Sequence, residues 1–274
     1  MSDPVILVTG STDGIGKATA AALTVRGAEI ILHGRDAGKG AGVQKELLEK
    51  SEYGKPDLVI ADFSDQGQIR RMAEDIASRY TRLDVLINNA GTYIKSRELT
   101  CDGIERTFAV NYLGPFLLTH LLLPVIRKGS PSRIVTVASS AHEDVNQIPW
   151  ENLPSLDRYD PWEVYSLSKF ADVTFTYSLA RNLKRTGVTA NCLHPGIVNT
   201  KILRSAFPNM PAILPKEGAK TSLYLALSPS VAGISGQYFE NQKLARSSRL
   251  SHNRKVQERL WKMAEGLTGL AEDK

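Results

Sequence analysis

The sequence predicts a single α/β domain in which helices cover both faces of a doubly wound parallel sheet of about seven strands. Three observations favour this fold class. Short apolar runs rich in Val, Ile and Leu recur along the chain, helical patterns separate most of them, and a glycine-rich turn joins the first run to the first helix. Uninterrupted apolar strands are typical of parallel sheets buried on both faces, and right-handed crossovers wind such sheets in both directions.

The apolar runs and helical patterns give the order of the elements. We expect strands at residues 5–9, 28–32, 57–61, 83–88, 133–138, 188–193 and 236–239. Helical spacing of apolar residues is clearest at residues 15–26, 65–79, 103–127 and 162–185. Two Pro-containing interruptions, at 149–161 and 208–215, follow the C-terminal ends of strands, where ligands bind in this architecture.

Cysteine usage and hydropathy argue against several classes of protein. Cys101 and Cys192 are far apart and follow no metal-ligand spacing, so we expect no metal centre and no disulfide, as in a reducing cytoplasmic compartment. No run reaches the roughly 18 apolar residues of a membrane span. The first strand begins by Pro4, which leaves no room for a signal peptide. Membrane contact is therefore expected to be peripheral at most.

Basic residues concentrate near the C-terminus. Residues 241–262 hold seven Lys or Arg against one Glu, whereas the whole chain has a net charge of only +5. A near-neutral body with a basic tail does not indicate nucleic-acid binding. Val256, Leu260, Met263 and Leu267 recur at helical spacing, which predicts a surface helix packed on the body or on a second subunit. A solvated helix face is the simplest interpretation of the charges, with a homo-oligomer contact or an acidic surface as alternatives.

The turn between the first strand and the first helix, VTGSTDGIG, contains Gly10, Gly14 and Gly16. Glycine costs about 0.5–1 kcal/mol inside a regular element, so three of them here indicate that the backbone must approach a ligand closely. The start of the following helix presents unpaired N–H groups and a partial positive charge, which suit the pyrophosphate of a dinucleotide. A purely structural turn is the alternative, because the spacing is not the usual G-x-G-x-x-G.

The stretch YSLSK places Tyr165 and Lys169 four residues apart, on one face of a predicted helix. A phenol with its ordinary pKa near 10 is a poor base at neutral pH, but a fixed ammonium beside it favours the phenolate. The spacing therefore predicts an acid/base pair, with a surface pair as the alternative.

Three more polar positions stand near predicted strand ends or inside an apolar helix. Ser139 follows the fifth strand, where a hydroxyl can hold a substrate oxygen. Asn111 interrupts an apolar helical pattern although Asn is a mediocre helix former, which suggests a buried polar role. The fourth strand ends in INNAG, in which Gly91 permits close approach of a ligand.

In order and spacing together, these motifs resemble those of the short-chain dehydrogenase/reductase family, from about Val5 to Glu240. TGSTDGIG is similar to the family's cofactor turn, NNAG to its strand-four motif, and HPGIVNT to the segment after strand six. The likeness is greatest to the retinol-dehydrogenase-like group, through GRD, VNYLGPFLLTHLLLP, SSAH and GQYFENQK. The resemblance implies a Rossmann-type oxidoreductase domain over 1–240, with a substrate lid around 200–215 and a helical extension of the same domain over 241–274.

The resemblance also implies the chemistry. Tyr165 would be the general acid/base and Ser139 would orient the substrate oxygen. Lys169 would bind the nicotinamide ribose and support Tyr165, and Asn111 would hold a water that relays protons. The implied cofactor-binding residues are Gly10, Ser11, Thr12, Gly14, Ile15, Gly16, Arg35, Asp62, Phe63, Asn89, Ala90, Gly91, Tyr165, Lys169, Pro195, Gly196, Val198 and Thr200.

The end of the second strand, ILHGRD, predicts a preference for NADP(H) over NAD(H). An acidic residue at this place binds the free ribose hydroxyls of NAD, whereas a nearby arginine accommodates the 2′-phosphate of NADP. Here Gly34 stands where the acid would be and Arg35 follows it. Asp36 and Asp13 are acidic neighbours that argue in the other direction.

Bulky apolar residues predict the substrate class. The segments 142–163 and 201–214 contain Trp150, Tyr159, Trp162, Ile202, Leu203, Phe207, Met210 and Leu214. A pocket of this kind suits a lipophilic alcohol, aldehyde or ketone, such as a retinoid or a steroid, better than a sugar. Core or lid packing of these side chains is the alternative. At the level of function, the alternatives are a reductase of a conjugated C=C bond, a dinucleotide-binding regulator without catalysis and, last, a nucleic-acid binder.

Overall fold

The computed structural model describes residues 3–50, 56–153 and 156–270, and these form one sheet with helices on both faces. The strands are β1 (Val5–Val8), β2 (Glu29–Gly34), β3 (Asp57–Ile60), β4 (Val85–Asn88), β5 (Ser132–Val137), β6 (Val188–His194), β7 (Tyr238–Glu240) and β8 (Lys243–Ala245). Their order is β3-β2-β1-β4-β5-β6-β7-β8, and only the pairing of β7 with β8 is antiparallel. The winding reverses between β1 and β4, so the C-terminal ends of these two strands border the crevice where ligands bind in this fold.

Helices connect the parallel strands. They are α1 (Gly14–Thr24), α2 (Ala37–Leu48), α3 (Gln66–Arg79), α4 (Arg106–Phe108), α5 (Gly114–Lys128), α6 (Pro161–Asn182), α7 (Lys201–Ala206), α8 (Pro215–Leu227) and α9 (Arg254–Leu267). A π-turn, Ala109–Leu113, joins α4 and α5 into one helical run. The seven predicted strands and the four predicted helices are all present, with ends that differ by a few residues.

Successive side chains along the strands pack into two hydrophobic cores, one on each face of the sheet. In β1, Val5 and Leu7 belong to a cluster with α3, α5, α6 and α9, whereas Ile6 and Val8 belong to a cluster with α1, α2 and α8. Successive side chains of a strand point to opposite faces, so each strand contributes to both clusters. This explains why the parallel strands read as uninterrupted apolar runs.

The eighth strand was not predicted from the sequence. It is three residues long and follows a two-residue turn in which Asn241 and Gln242 both have positive φ, of 49° and 62°. Positive φ at both central positions is the geometry of the tight hairpin turns that match strand twist. The boundary predicted at residue 240, between the main domain and its helical extension, therefore falls inside a hairpin that belongs to the main sheet.

Contrary to the expectation that no segment could span a membrane, the 23-residue helical run Arg106–Lys128 is long enough and contains a window, of mean hydropathy 1.6, that is apolar enough by composition alone. In the structure, 72% of its most apolar window is buried inside the protein. Phe116 and Leu117 are fully buried in the larger core. This run is therefore apolar because it is a core helix of the domain.

The second half of the basic C-terminal segment folds as the predicted helix, α9. Leu260 is fully buried in the larger core, while Val256, Met263 and Leu267 pack partly buried against it. Trp261 stacks on Phe175 of α6 with ring centroids 5.9 Å apart. The apolar face of α9 is thus covered by the body of the same chain, and its charges face outward.

Candidate active site

The glycine turn has a backbone that side chains would obstruct. Gly10 and Gly14 adopt positive φ, of 64° and 51°, which L-residues with a side chain rarely adopt. A Cβ on Gly16 would lie 2.2 Å from the carbonyl oxygen of Gly10 and 2.4 Å from Nδ2 of Asn89. The turn is therefore compact because three positions carry no side chain. Ile15, inside the same turn, faces α8, where a Cβ on Gly218 would approach its Cγ1 to 3.4 Å.

Buried hydrogen bonds hold this turn on the sheet. The backbone N–H of Gly10 donates to Nδ1 of His33 at 3.0 Å, and Nε2 of His33 donates to the Ala61 carbonyl at 3.1 Å. The backbone N–H of His33 in turn donates to Oγ of Ser11 at 2.9 Å. Burial lowers the pKa of His33 to about 4, so the ring is neutral at neutral pH. This structural role of His33 was not predicted from the sequence, although a polar residue at the end of an apolar strand was a signal for it.

The fourth strand delivers its asparagines to the same turn. Oγ1 of Thr9 accepts from the backbone N–H groups of Asn89 and Ala90 at 2.9 and 3.0 Å. Nδ2 of Asn89 donates to the Thr9 carbonyl at 2.9 Å. These bonds lock the ends of β1 and β4 together and place Gly91 beside the catalytic residues predicted on α6.

Tyr165, Lys169 and Asn111 converge near Gly91. Lys169 is buried and Tyr165 is half-buried, with Nζ of Lys169 6.0 Å from the centroid of the tyrosine ring. A Cβ on Gly91 would lie 3.5 Å from Oδ1 of Asn111 and 3.9 Å from Nζ of Lys169. The absent side chain of Gly91 therefore leaves a space that both polar groups border.

Asn111 is clamped inside the π-turn. Its Oδ1 accepts from the Thr92 N–H at 2.7 Å, and its Nδ2 donates to the Thr92 carbonyl at 3.0 Å and to Oγ of Ser168 at 2.9 Å. π-turns inside helices occur often at functional sites. The side chain thus fixes the strand-four loop against α6, and its role in relaying protons stays a prediction.

Ser139 stands at the end of β5, half-buried, at the N-terminus of a short 3-10 turn, Ser140–Asp144. Its Oγ accepts from the Ala141 N–H at 3.2 Å, which leaves its own O–H available as a donor. Nε1 of Trp162 donates to Oδ2 of Asp144 at 2.9 Å, and this bond ties the 3-10 turn to the start of α6. The turn that begins after Ser139 is therefore fixed against the start of α6, the helix that carries Tyr165.

Lys169 forms a buried ion pair. Its Nζ is 2.9 Å from Oδ2 of Asp172 and donates to the Val137 carbonyl at 3.0 Å. Burial raises the pKa of Asp172 to about 6 despite the ammonium, and the charge of Asp172 raises the pKa of Lys169 despite burial. Asp172 was not predicted from the sequence, because its place beside Lys169 depends on the packing of α6 on β5.

Asp36 and Asp13, the two acidic residues predicted near Arg35, each have hydrogen-bond partners of their own. Oδ1 of Asp36 accepts from the Lys39 N–H at 2.9 Å and caps α2. Oδ1 of Asp13 accepts from the Gly14 N–H at 2.8 Å and caps α1, while its Oδ2 pairs with Lys201. Both carboxylates are thus engaged in capping. Arg35 is exposed at the end of β2.

The other residues predicted on the adenosine side lie in the glycine turn and near the C-terminal ends of β2 and β3. A Cβ on Gly34 would lie 2.4 Å from Cγ2 of Thr12, so Gly34 makes room for the turn. Oδ1 of Asp62 accepts from the Ser64 N–H at 2.9 Å. Phe63 is buried and its ring stacks on His33 with centroids 4.5 Å apart.

The segment predicted as the substrate lid, residues 200–215, leaves the body after β6. It follows Pro195 and Gly196, which has a φ of 88°. Val198 pairs with Ile213, which closes the lid at its base, and Oγ1 of Thr200 accepts from the Leu203 N–H at 3.3 Å to cap α7. The lid is therefore a short helix and a loop with a fixed base and a half-exposed tip.

The aromatic residues predicted to line the pocket divide into two groups. Trp162 lies 5.8 Å from Tyr165 and 5.1 Å from Phe207 of the lid, measured between ring centroids. Trp150 instead lies under the guanidinium of Arg259, 4.1 Å from its ring centroid. We therefore assign Trp150 to the packing of α9 rather than to the pocket. The hydroxyl of Tyr159 donates to the Ile94 carbonyl at 2.6 Å.

The model of the short chain dehydrogenase family matches residues 4–211. The chain belongs to this family. Among its curated relatives, human retinol dehydrogenase 12 is 37% identical over 97% of this chain and 86% of its own length. Human polyprenol dehydrogenase is 37% identical over 98% of this chain and 86% of its own length.

Solved structures agree with this assignment. An uncharacterized protein from Mycobacterium paratuberculosis superposes with a TM-score of 0.81 at 30% identity, covering 98% of this chain and 94% of its own. A short chain dehydrogenase from Escherichia coli, complexed with NADPH, superposes with a TM-score of 0.73 at 27% identity. The match covers 89% of this chain and 98% of the Escherichia coli protein. Family, fold and relatives identify an oxidoreductase that acts on alcohols and their carbonyl counterparts.

Proposed function

We propose that the protein is an NADP(H)-dependent oxidoreductase that interconverts an alcohol and an aldehyde or ketone on an apolar substrate. The observation that carries this proposal is the convergence of Tyr165, Lys169 and Asn111 around Gly91, next to a glycine turn shaped for a dinucleotide. A buried lysine beside a half-buried phenol at the ligand-binding edge of the sheet marks a candidate functional site.

The residues present fit a nicotinamide dinucleotide. Gly10, Gly14 and Gly16 form a cradle that added Cβ atoms would fill, at the N-terminus of α1. Lys169 and Tyr165 would hold the nicotinamide ribose, and Thr200 would hold the carboxamide. When bound, this cofactor supplies or accepts the hydride.

The protein's own groups handle the proton. In reduction, Tyr165 gives its hydroxyl proton to the carbonyl oxygen, and in oxidation it takes the proton from the alcohol. Ser139 donates a hydrogen bond to the same oxygen and fixes its position. Lys169 supplies a positive charge near the phenol, which steadies the phenolate left after proton transfer. Acid/base positioning of this kind is worth roughly 10²–10⁴ in rate.

Arg35 is the basis for the proposed preference for NADP(H). It is exposed at the end of β2, while Asp36 and Asp13 are engaged as helix caps. A guanidinium forks onto phosphate oxygens, and one charge-assisted contact contributes about 1.5–3 kcal/mol. We expect kcat/KM to favour NADPH over NADH by about tenfold or more. Arg35→Ala should remove most of that preference, whereas Arg127→Ala, at another exposed arginine, should leave it unchanged. Equal values with both cofactors in the wild type would refute the preference.

The lid is the basis for the proposed substrate class. Ile197, Ile213 and Leu214 are 48%, 44% and 54% exposed around its base, beside the half-buried Phe207. Such exposed apolar side chains mark a binding surface for an apolar ligand. Two of the curated relatives are named for retinol and polyprenol, both lipophilic alcohols. A panel of retinoid, steroid, long-chain and sugar carbonyls would test this class: highest kcat/KM on a polar sugar would contradict it.

We also propose a cytoplasmic location. Both cysteines are free thiols, Cys101 exposed and Cys192 buried, as suits a reducing compartment. Cell fractionation with the tagged protein would test this, and recovery only with carbonate-resistant membranes would contradict it.

A further inference from the structure

A second cavity lies at the edge of the sheet opposite the candidate active site, at the N-terminal ends of β5 and β6. Residues of the segments 131–133, 177–189, 232–236 and 252–257 line it, and its volume is about 830 Å³. We call it the basal cavity. Volumes of about 300–1,000 Å³ are typical of sites for small organic ligands. Because β6 is seven residues long, about 20 Å separate this cavity from the strand ends that border the cofactor turn.

The charged side chains that line the basal cavity are all basic. They are Arg133, Arg181, Lys184, Arg185 and Arg254, and His252 lies beside them. Among the described residues that line the cavity there is no Asp or Glu, whereas the whole chain holds 34 Lys and Arg against 29 Asp and Glu. In the part of the chain that the structure describes, none of these Lys and Arg side chains forms an ion pair. The basal cavity is therefore a concentration of positive charge without paired carboxylates.

Helix dipoles explain only part of this charge. Arg181 and Lys184 lie at the C-terminal end of α6, where cations are favourable. Arg254, however, is the first residue of α9, where the dipole disfavours a cation. Burial and then the nearby charge of Arg254 lower the pKa of Arg181, and Glu258, one turn further along α9, opposes this only in part. Two guanidinium groups are thus held near each other although the fold alone favours only one of them.

Neutral groups complete the lining of the basal cavity. Oγ of Ser235 accepts from the Ala190 N–H at 3.0 Å, which leaves its own O–H available as a donor. The rings of Tyr177 and His252 stack with centroids 5.2 Å apart. The cavity therefore combines cationic and hydroxyl donors with an aromatic pair, as suits a ligand that has both phosphate groups and an organic body.

We propose that the basal cavity is a second ligand site, which binds the phosphate groups of a phosphorylated small molecule or of a lipid headgroup. Guanidinium groups form bidentate, charge-assisted hydrogen bonds with phosphate oxygens. An anion bound between Arg181 and Arg254 offsets their mutual repulsion, so the ligand supplies the negative charge that the lining lacks. The site is independent of the proposed oxidoreductase activity, because it lies at the other edge of the sheet from Tyr165.

Calorimetric titration with inorganic pyrophosphate tests the basal cavity directly. Pyrophosphate also suits the glycine turn, so the titration is made with the wild type and with Gly16→Ala, in which a Cβ obstructs that turn. We expect saturable binding that persists in Gly16→Ala. In Arg181→Gln the Kd should rise roughly tenfold or more, because one charge-assisted contact is lost. Absence of binding to the wild type, loss of all binding in Gly16→Ala, or an unchanged Kd in Arg181→Gln overturns the proposal.

Arg254→Gln separates binding from folding. In the described part of the chain the Arg254 side chain has no hydrogen-bond or ion-pair partner, and its charge opposes that of Arg181. Its removal should leave the melting temperature equal or higher, whereas the Kd for pyrophosphate should rise roughly tenfold. A lower melting temperature with an unchanged Kd would indicate a purely structural arginine and would overturn the proposal.

Arg26→Gln is the matched control for net charge. Arg26 is exposed after the end of α1 and does not line the basal cavity, so the Kd for pyrophosphate should stay unchanged. An equal rise of the Kd in Arg26→Gln and Arg181→Gln would mean that net charge alone attracts the anion, which also overturns the proposal.

Flotation with vesicles identifies the source of the phosphate. Vesicles of phosphatidylcholine with phosphatidic acid are compared with vesicles of phosphatidylcholine alone. Flotation of the wild type only with phosphatidic acid, lost in Arg181→Gln and Arg254→Gln, assigns the cavity to a lipid headgroup. Pyrophosphate binding without flotation assigns it to a soluble organic phosphate. Flotation that both variants retain, together with an unchanged Kd for pyrophosphate, overturns the proposal; a wild type without turnover contradicts only the proposed function.

Discussion

The cofactor turn, residues 8–16, and the substrate lid lie at the same edge of the sheet but are built in opposite ways. In the turn, Thr9 and Ser11 are fully buried and hydrogen-bonded to neighbouring strands. In the lid, the helix α7 buries none of its residues, and Leu214 is 54% exposed. One region is fixed by packing and hydrogen bonds, and the other is anchored mainly at its base.

This difference corresponds to what each region is proposed to bind. The cofactor is the same molecule in every turnover, so a turn preorganised for it loses little entropy when it binds. An apolar substrate offers few directional contacts, so a lid of half-exposed apolar side chains is sufficient and can accept several related molecules. Substitutions at the junction of the two regions, in the turn and in the lid are therefore expected to have progressively smaller effects.

The largest effect is expected at Tyr165, where the two regions meet. Tyr165→Phe keeps the ring that packs against Trp162 and removes the hydroxyl. We expect kcat to fall by roughly 10²–10⁴ because proton transfer loses its donor. Cofactor affinity, measured by fluorescence titration, should change little. A variant that retains more than a tenth of wild-type kcat would show that another group transfers the proton.

Low pH should decrease the free energy of unfolding through the protonation of His33. The pKa of His33 is lowered to about 4 from an ordinary 6.5, so the neutral ring is the form that the fold stabilises. Its contribution is complete above pH 6.5 and is lost as the pH falls towards 4, which amounts to about 3 kcal/mol of unfolding free energy. Urea unfolding at pH 7 and pH 4 should show this loss, and His33→Gln should lack that part of it. Identical pH dependence of the two proteins would exclude His33 as the cause.

A methyl group in the turn should impair cofactor binding. In Gly16→Ala the new Cβ meets the Gly10 carbonyl at 2.2 Å, so the backbone must shift. Overpacking of this kind costs about 1–3 kcal/mol, and cofactor affinity should fall by about ten- to a hundredfold. Gly42→Ala is the matched control, because a Cβ there meets nothing within 4 Å on α2. Equal affinity of the Gly16 variant and this control would contradict the close-packed turn.

The smallest effect is expected at the lid. Leu214→Ala should raise KM for an apolar substrate by about fivefold, roughly 1 kcal/mol of lost apolar contact, and leave the melting temperature and the cofactor KM unchanged. Leu244→Ala makes the same change at a leucine of β8 that is 60% exposed, and it should alter no kinetic constant. An equal change of the substrate KM in both variants would show that the lid does not line the substrate pocket.

The sequence was sufficient for the parts of this structure that depend on local pattern. The parallel strands read as apolar runs because both faces are buried, and the glycine turn was visible because Gly10 and Gly14 need positive φ. The spacing of Tyr165 and Lys169 followed from helix geometry alone.

What the sequence did not reveal depends on contacts between distant segments. His33 bonds the cofactor turn across 23 residues of sequence, and Asp172 acquires its role only when α6 packs on β5. Trp150 was predicted as a pocket residue, but in the fold it lies under Arg259 of α9. The helix α2 was also missed, since Gly38, Gly40 and Gly42 dilute its helical pattern.

The central claim is that this site transfers hydride to a carbonyl carbon with Tyr165 as the proton donor. An α,β-unsaturated lipophilic aldehyde such as retinal, incubated with NADPH deuterated at the transferred position of C4, tests it most directly. We predict deuterium on the carbinol carbon of an allylic alcohol product, formed by the wild type and nearly absent with Tyr165→Phe. Deuterium on the carbon chain with the aldehyde intact would indicate reduction of the conjugated C=C bond, and no transfer to any carbonyl would indicate a nucleotide-binding protein without this activity; either result would contradict the account.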